Sequence, residues 1–316
     1  ELAGSGADNT ASLAFGGNVP PASTVTELWN GSVWTEVNDL SMPREKEGGE
    51  GNTTAGLAFG GSNVAVAGIS FTEEWNANFA YGVWVTGNSM NTARAGLAGN
   101  GTQTSALGFG GNVAPPDVYS AITETWNGTA WAEVNNLNTG RNGLGGAGVD
   151  NTSALAFGGQ TSPTIVTATE TWNGSNWTEV NDMNTARRLF ACVGLVPAAL
   201  AFGGEDASTA HFGNTESWNG TNWTEVNDLN NARNDITGFG IQTSALGFAG
   251  ENSPTGVELW NGTNWAVQNS LNTARTNGGG AGSGTTTAGL AFGGGPPMTA
   301  ATELWVGDGT ISENID

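Results

Sequence analysis

The sequence predicts an all-β fold, a seven-bladed β-propeller of four-stranded antiparallel blades, and three observations lead to it. The first is a repeat that contains every tryptophan. Seven times the chain returns to a phrase like Ala-Leu-Ala-Phe-Gly-Gly, then a variable stretch, then Glu-x-Trp, and six of the seven returns carry a second Trp. The first tryptophans are Trp29, Trp75, Trp126, Trp172, Trp218, Trp260 and Trp305, spaced by 46, 51, 46, 46, 42 and 45 residues. A period in the forties is the length of one four-stranded blade. The second observation is composition: 51 Gly and 13 Trp with only 12% charged residues suit short strands and tight turns rather than helices. The third is phase. Aligning Ser12-Leu13-Ala14-Phe15-Gly16-Gly17 with Ala154 to Gly159 puts Glu1 and Asp316 at nearly the same point of the repeat. That favours seven whole blades in one domain over residues 1–316, with a degenerate last strand around 310–315; six blades plus an unpaired half is the alternative.

The unit from Arg141 to Thr185 shows the elements in order. Residues 143–149 are a run of small side chains, expected to be the innermost strand, where chains converge on the axis. Residues 153–157 form an apolar strand, residues 167–172 an alternating one, and residues 177–180 the outermost. Asn-Gly pairs at Asn30-Gly31, Asn127-Gly128, Asn173-Gly174, Asn219-Gly220 and Asn261-Gly262 separate the two tryptophans and suggest type I′ turns, which need positive φ at both central residues. Asn-x-Ser/Thr sequons coincide with these turns, so their recurrence needs no glycan.

Glu and Trp of Glu-x-Trp stand two apart and share a face of the third strand. The set is Glu27, Glu73, Glu124, Glu170, Glu216, Glu258 and Glu303. Carboxylates on a face turned to a neighbouring blade need partners, and six repeats offer one Arg each: Arg44, Arg94, Arg141, Arg187, Arg233 and Arg275. The two sets are expected to pair across or between blades, because an unpaired buried charge is costly. Their recurrence in every blade argues for scaffold rather than catalysis, since an active site is normally singular.

The Gly-Gly pair closing the second strand, followed by Glu-x-aromatic and then Trp, resembles the kelch repeat over essentially the whole chain. Two details depart from it: Trp replaces the usual Tyr at the first aromatic, and the aromatics are five apart, one closer than usual. The resemblance implies four-stranded blades in a circular array. It implies no single function, because kelch propellers host enzymes, adaptors and carbohydrate binders. Acidic, Lys-poor, nearly verbatim arrays of this kind look like those in virion proteins of marine bacteriophages, which implies an extracellular or virion location, in a capsid or tail appendage.

Charge narrows the partners. Twenty-nine acidic groups against seven Arg and the single Lys46 give a formal charge of -21. Nucleic acid is not expected to bind, for want of cations to displace phosphate counterions, and an anionic membrane surface would repel the chain. No stretch approaches the length of a membrane span, and no charged start followed by an apolar core marks a signal peptide. Cys192 is alone in an apolar setting and is expected to be a buried small side chain.

Function is therefore sought in what does not repeat. The connections after the glycine pairs, residues 18–24, 62–71, 112–121, 160–168, 205–214, 252–256 and 295–300, vary in length and hold most of the prolines. They are expected to emerge on one face and to bind a host-surface glycan, a protein, or other subunits of an assembly. Phe71, Asp117, Tyr119, Asp206, His211 and Phe212 are the candidate ligand residues: aromatic rings for stacking on a sugar and carboxylates for its hydroxyls. Loop drift without function is the alternative. On the opposite face an insertion at residues 76–83 carries Phe79 and Tyr81, candidates for a protein contact.

No cofactor or metal is expected. One His and one Cys cannot form a usual zinc site. The copper oxidase on a kelch-like propeller needs two His and two Tyr, and sialidase-type propellers need an arginine cluster. Asp39, Asp182 and Asp228 recur one blade apart and read as turn caps rather than converging calcium ligands. A non-enzymatic recognition or structural module is the leading reading, with a carbohydrate-active enzyme on a kelch propeller as the alternative. An intracellular adaptor is a third, for which no partner domain is seen.

Overall fold

The computed structural model describes residues 3–8, 11–17, 22–63, 65, 68–77, 83–113, 118–277, 279–281, 286, 288–295, 302–306 and 311–315. Asp117, Phe79 and Tyr81 lie outside these residues. The described chain is an all-β propeller of four-stranded antiparallel blades, with no helix among the described residues. Among the described residues there are seven four-stranded sheets, each built from neighbouring strands of the chain, and one two-stranded ribbon, which lies between the second and third strands of the third sheet. In the fourth the strands are Gly145–Asp150, Ser153–Phe157, Thr169–Trp172 and Trp177–Glu179, counted from the inside out. Each inner strand neighbours the inner strand of the next sheet, and Gly279–Ala281 of the last neighbours Ala3–Asp8 of the first.

Pairing register explains the alternation inside Ala-Leu-Ala-Phe. Ala154 lies opposite Trp172 and Ala156 opposite Glu170, so small side chains share a face with the large ones. Leu155 and Phe157 occupy the other face, and both faces are fully buried. The Trp-bearing face packs on the Phe of the preceding blade: ring centroids are 5.0 Å apart for Phe109 and Trp177, 4.8 Å for Phe157 and Trp223, and 4.8 Å for Phe202 and Trp265. Among the described residues, the Leu and Phe of one blade thus meet tryptophan of the next. The two indoles also differ in where their N–H groups go. Trp172 donates to the Asn151 carbonyl at 2.9 Å, within its own blade, whereas Trp177 donates to Thr123 Oγ1 of the preceding blade at 2.9 Å.

One expectation is corrected by this geometry and another is extended. The Asn-Gly turns are not type I′: Gly174 has φ 90°, but Asn173 is not in the positive-φ region. Asn173 instead accepts the N–H groups of Ser175 and Asn176 on Oδ1 at 3.0 and 2.9 Å, and the same pattern recurs at Asn30, Asn127, Asn219 and Asn261. Side-chain capping replaces the left-handed Asn. The small residues of the inner strand have two causes: the neighbouring inner strand, with a Cβ on Gly148 only 2.6 Å from Asn100 Nδ2, and the phenylalanines of the second strands. A Cβ on Gly48 would lie 2.5 Å from the Phe59 ring, and one on Gly238 would lie 2.5 Å from Phe202. Glycine there makes room for second-strand phenylalanines. One register position away, opposite the conserved-in-repeat Leu, the inner strand admits Glu50, Asn100, Val193 and Phe239.

Asp39, Asp182 and Asp228 each accept, on Oδ1, the backbone N–H of the Thr that opens the third strand, at 3.1, 3.1 and 3.2 Å. Asn136 does the same for Thr123. These carboxylates lock the outer connection onto its own blade.

Candidate functional site

In an antiparallel blade the connection from second to third strand emerges on the same side as the connection from the outer strand to the next blade. The variable loops and the arginine turns therefore share one face. Glycine pairs set their geometry. Gly158 and Gly159 have φ 61° and 89°, and a Cβ on Gly159 would sit 2.7 Å from the Asn142 carbonyl oxygen. Only glycine allows that approach without strain. In the sixth blade Ala249 takes the first position at φ 61°, while Gly250 keeps the second.

From this pair the Arg staple is built. Arg187 lies between the fourth and fifth blades. Its carbonyl accepts the Gly159 N–H of the fourth at 2.9 Å, and its guanidinium reaches the fifth. There Nη1 donates to the Gly203 and Asn214 carbonyls at 3.2 and 2.5 Å, and Nη2 meets Glu216 Oε1 at 2.6 Å. Glu216 is also the receptor for the turn itself, accepting the Asn184 N–H and side-chain amide on Oε2 at 2.6 and 2.9 Å and the Thr185 N–H on Oε1 at 3.1 Å. The same ion pair joins Arg44 to Glu73, Arg94 to Glu124, Arg141 to Glu170, Arg233 to Glu258 and Arg275 to Glu303, at 2.6–3.1 Å. Every one of these Arg side chains is fully buried. Burial pushes the guanidinium pKa of each down, and the partner Glu opposes that shift. Arg233 is the poorest staple, with Nη1 unbonded, and it faces the blade that lost its first glycine.

Glu27 stands apart: no ion pair or hydrogen bond of its carboxylate is found among the described residues, and the residue is exposed.

The described candidate ligand residues fall on three blades, with Asp206, His211 and Phe212 sharing one loop. Phe71 is 41% exposed on the second blade, and its carbonyl serves Arg44. Tyr119 belongs to a two-stranded ribbon on the third, with Asn112 opposite Tyr119 and Val113 opposite Val118, which is 55% exposed. Asp206 turns inward on its own loop, accepting the Ser208 and Ala210 N–H groups at 2.8 and 3.0 Å and the Ser208 hydroxyl at 2.7 Å; the Ser208 hydroxyl does most to lower its pKa. It is a loop former. His211 bridges blades, with Nδ1 2.5 Å from Asn252 Nδ2 and Nε2 3.4 Å from Glu251 Oε2. Phe212 is half-buried, its N–H bonded to the Gly204 carbonyl. Among the described residues no group of three or more His, Cys, Asp or Glu could hold a metal ion.

Two features of the structure were not anticipated from sequence. The first is a polar chain across three blades: Arg188 Nη1 donates to Gln160 Oε1 at 2.5 Å, its Nε to Glu205 Oε1 at 3.0 Å, and Asn234 Nδ2 to Glu205 Oε2 at 2.7 Å. Arg188 follows Arg187 directly, and that doubling was its only signal. The second is Glu50, on the inner strand of the second blade, whose carboxyl burial pushes up to about 8. The matching Asn100 of the next blade donates its amide to the Asp150 carbonyl, a role that a carboxyl copies only when protonated. Between pH 4.5 and about 8 the folded state keeps a proton that the unfolded state has lost, so stability falls as pH rises through that window and levels off above it. Glu50→Gln is expected to raise the urea midpoint at pH 8 and to leave it nearly unchanged at pH 4, at up to about 1.4 kcal/mol per pKa unit. An equal effect at both pH values would contradict a protonated Glu50.

Cys192 is partly buried, with Sγ 3.4 Å from the Gly146 carbonyl of the preceding blade; burial raises its pKa, which leaves the thiol unreactive.

Comparison with protein-family models finds no match, and none of the curated proteins matches the chain in sequence.

Proposed function

We propose that the chain is a non-enzymatic recognition or structural module, a seven-bladed kelch-like ring whose loop face binds a glycan or protein on a host surface. The closed cycle of seven inner strands supports the blade count. The Gly-Gly, Glu-x-Trp and second Trp of the repeat support the kelch-like reading. A virion or other extracellular assembly is the setting that the acidic, Lys-poor array suggests.

The observation that carries the functional reading is how the recurring charges are used. Six Arg and six Glu are consumed in staples between blades, on the same face as the variable loops. The staples hold the loop bases rigid, which lowers the entropy lost on binding. Side chains that do not repeat, the exposed Phe71 and Val118 with the half-buried Tyr119, are left to meet a partner. Aromatic rings on a fixed base suit the apolar face of a sugar.

A glycan array probed with wild type and with the variant Phe71→Ala, Tyr119→Ala tests this. Binding by the wild type that falls about tenfold or more in the variant, equivalent to roughly 1.4 kcal/mol, is the expected result. Turnover of any arrayed sugar would overturn the non-enzymatic reading, and wild-type binding unaffected by the variant would remove these two residues from the site.

A further inference from the structure

Val149, Leu195 and Ile241 are apolar side chains exposed to 57%, 45% and 41% on three successive blades. Each stands on an inner strand, two residues past the position that faces the repeated Leu: Ala147, Val193 and Phe239 lie opposite Leu155, Leu200 and Leu246. The three inner strands are neighbours, so the three side chains share one end of adjacent strands. In the second and third blades the same place holds Asn52 and Thr102. The apolar arc therefore belongs to these blades and not to the repeat.

That end of the ring lies opposite the variable loops and the staples, and it carries almost no charge. In the third to sixth blades its hairpin ends are residues 102–105, 150–153, 195–198 and 241–244 between first and second strands, and residues 126–131, 172–177, 218–223 and 260–265 between third and fourth. Asp150 is the one charged residue in them. Its Oδ1 is occupied within its own turn, by the Thr152 N–H at 2.8 Å and the Thr152 hydroxyl at 2.6 Å. The acids of these blades sit elsewhere: Glu133, Glu179 and Glu225 are exposed on the outer strands, and Asp206 and Glu251 are in the loops of the other end.

A chain of formal charge -21 repels its own copies wherever those acids meet. A cationic partner is drawn by the same field to the acidic flanks and loops. What matches an uncharged face with an apolar arc is a second uncharged face with an apolar arc, and the chain itself supplies one. A two-fold axis sets the arc against its copy, because an isologous contact uses one patch twice. The Asn, Gln and Thr side chains of these turns carry donors or acceptors that a copy of themselves can answer.

We infer that this end of the ring joins two copies of the chain, with Val149, Leu195 and Ile241 at the centre of the contact. Both sets of variable loops then face outward, away from the contact.

Sedimentation velocity of the whole chain tests this in sodium chloride at about 0.1 M and about 1 M, which shortens the screening length from about 10 Å to about 3 Å. A monomer–dimer equilibrium is expected, half-formed at or below about 100 μM in the higher salt. It should tighten at least about tenfold from the lower salt to the higher, since salt removes the repulsion and leaves apolar burial in place. Leu195→Thr with Ile241→Thr, which copies Thr102 of the third blade, should weaken the dimer at least about tenfold at both salt concentrations. Val267→Thr, at a residue 62% exposed on the outer strand of the sixth blade, should leave it unchanged. A chain still monomeric at about 100 μM in the higher salt, a dimer that weakens as salt is added, or a dimer that survives the paired substitution would overturn the contact.

Discussion

Arg187→Ala is expected to lower the unfolding free energy by about 3–5 kcal/mol. The loss does not measure the attraction between Arg187 and Glu216. It arises because the truncation leaves the fully buried Glu216 carboxylate without its partner. Removing Glu216 is expected to be at least as harmful, because it orphans the Asn184 and Thr185 N–H groups as well as Arg187. An amide in its place presents an N–H₂ where only acceptors fit, so Glu216→Gln should fail to rescue. Replacing the pair together with apolar residues should recover only part of the loss, since the backbone donors of the turn stay unpaired. Urea midpoints of the single and double variants check the ordering.

Trp172→Ala is expected to cost a similar amount, about 3–5 kcal/mol. Trp172 is 2% exposed, stacks obliquely on Trp177 at 5.5 Å, and closes its own hairpin through the 2.9 Å bond to Asn151. The cavity would open beside the small Ala154, which has no side chain with which to fill it. Trp177→Phe is a milder companion. It keeps an aromatic ring against Phe109 but loses the bond to Thr123 Oγ1, for about 1 kcal/mol.

Much of the fold was legible because the same physical problem is solved in every blade. Tryptophans at fixed spacing gave the strands, and the alternation of Ala with Leu and Phe follows from faces that meet different neighbours. The pairing of Glu with Arg followed from the cost of burying either alone. What sequence could not supply was direction: that each Arg reaches forward to the next blade, and that its carbonyl holds the blade behind. Asn-Gly misled because the Asn side chain satisfies the turn that positive φ was expected to satisfy. Glycine in the inner strand was legible as crowding between inner strands, but not the part played by second-strand rings such as Phe59 and Phe202. Candidate ligand residues were chosen for being unlike the repeat, a test that cannot separate Asp206, consumed by its own loop, from Phe71, which is exposed.

Glu27 sharpens the reading of its six counterparts, since it has the same place in the register and, among the described residues, none of the bonds. Equilibrium unfolding of Glu27→Gln beside Glu216→Gln therefore tests the stapled seam most directly. Stapling predicts a loss of several kcal/mol, on the order of 3–5, for Glu216→Gln and no measurable change for Glu27→Gln. Equal losses at the two positions, or no loss at Glu216, would contradict it.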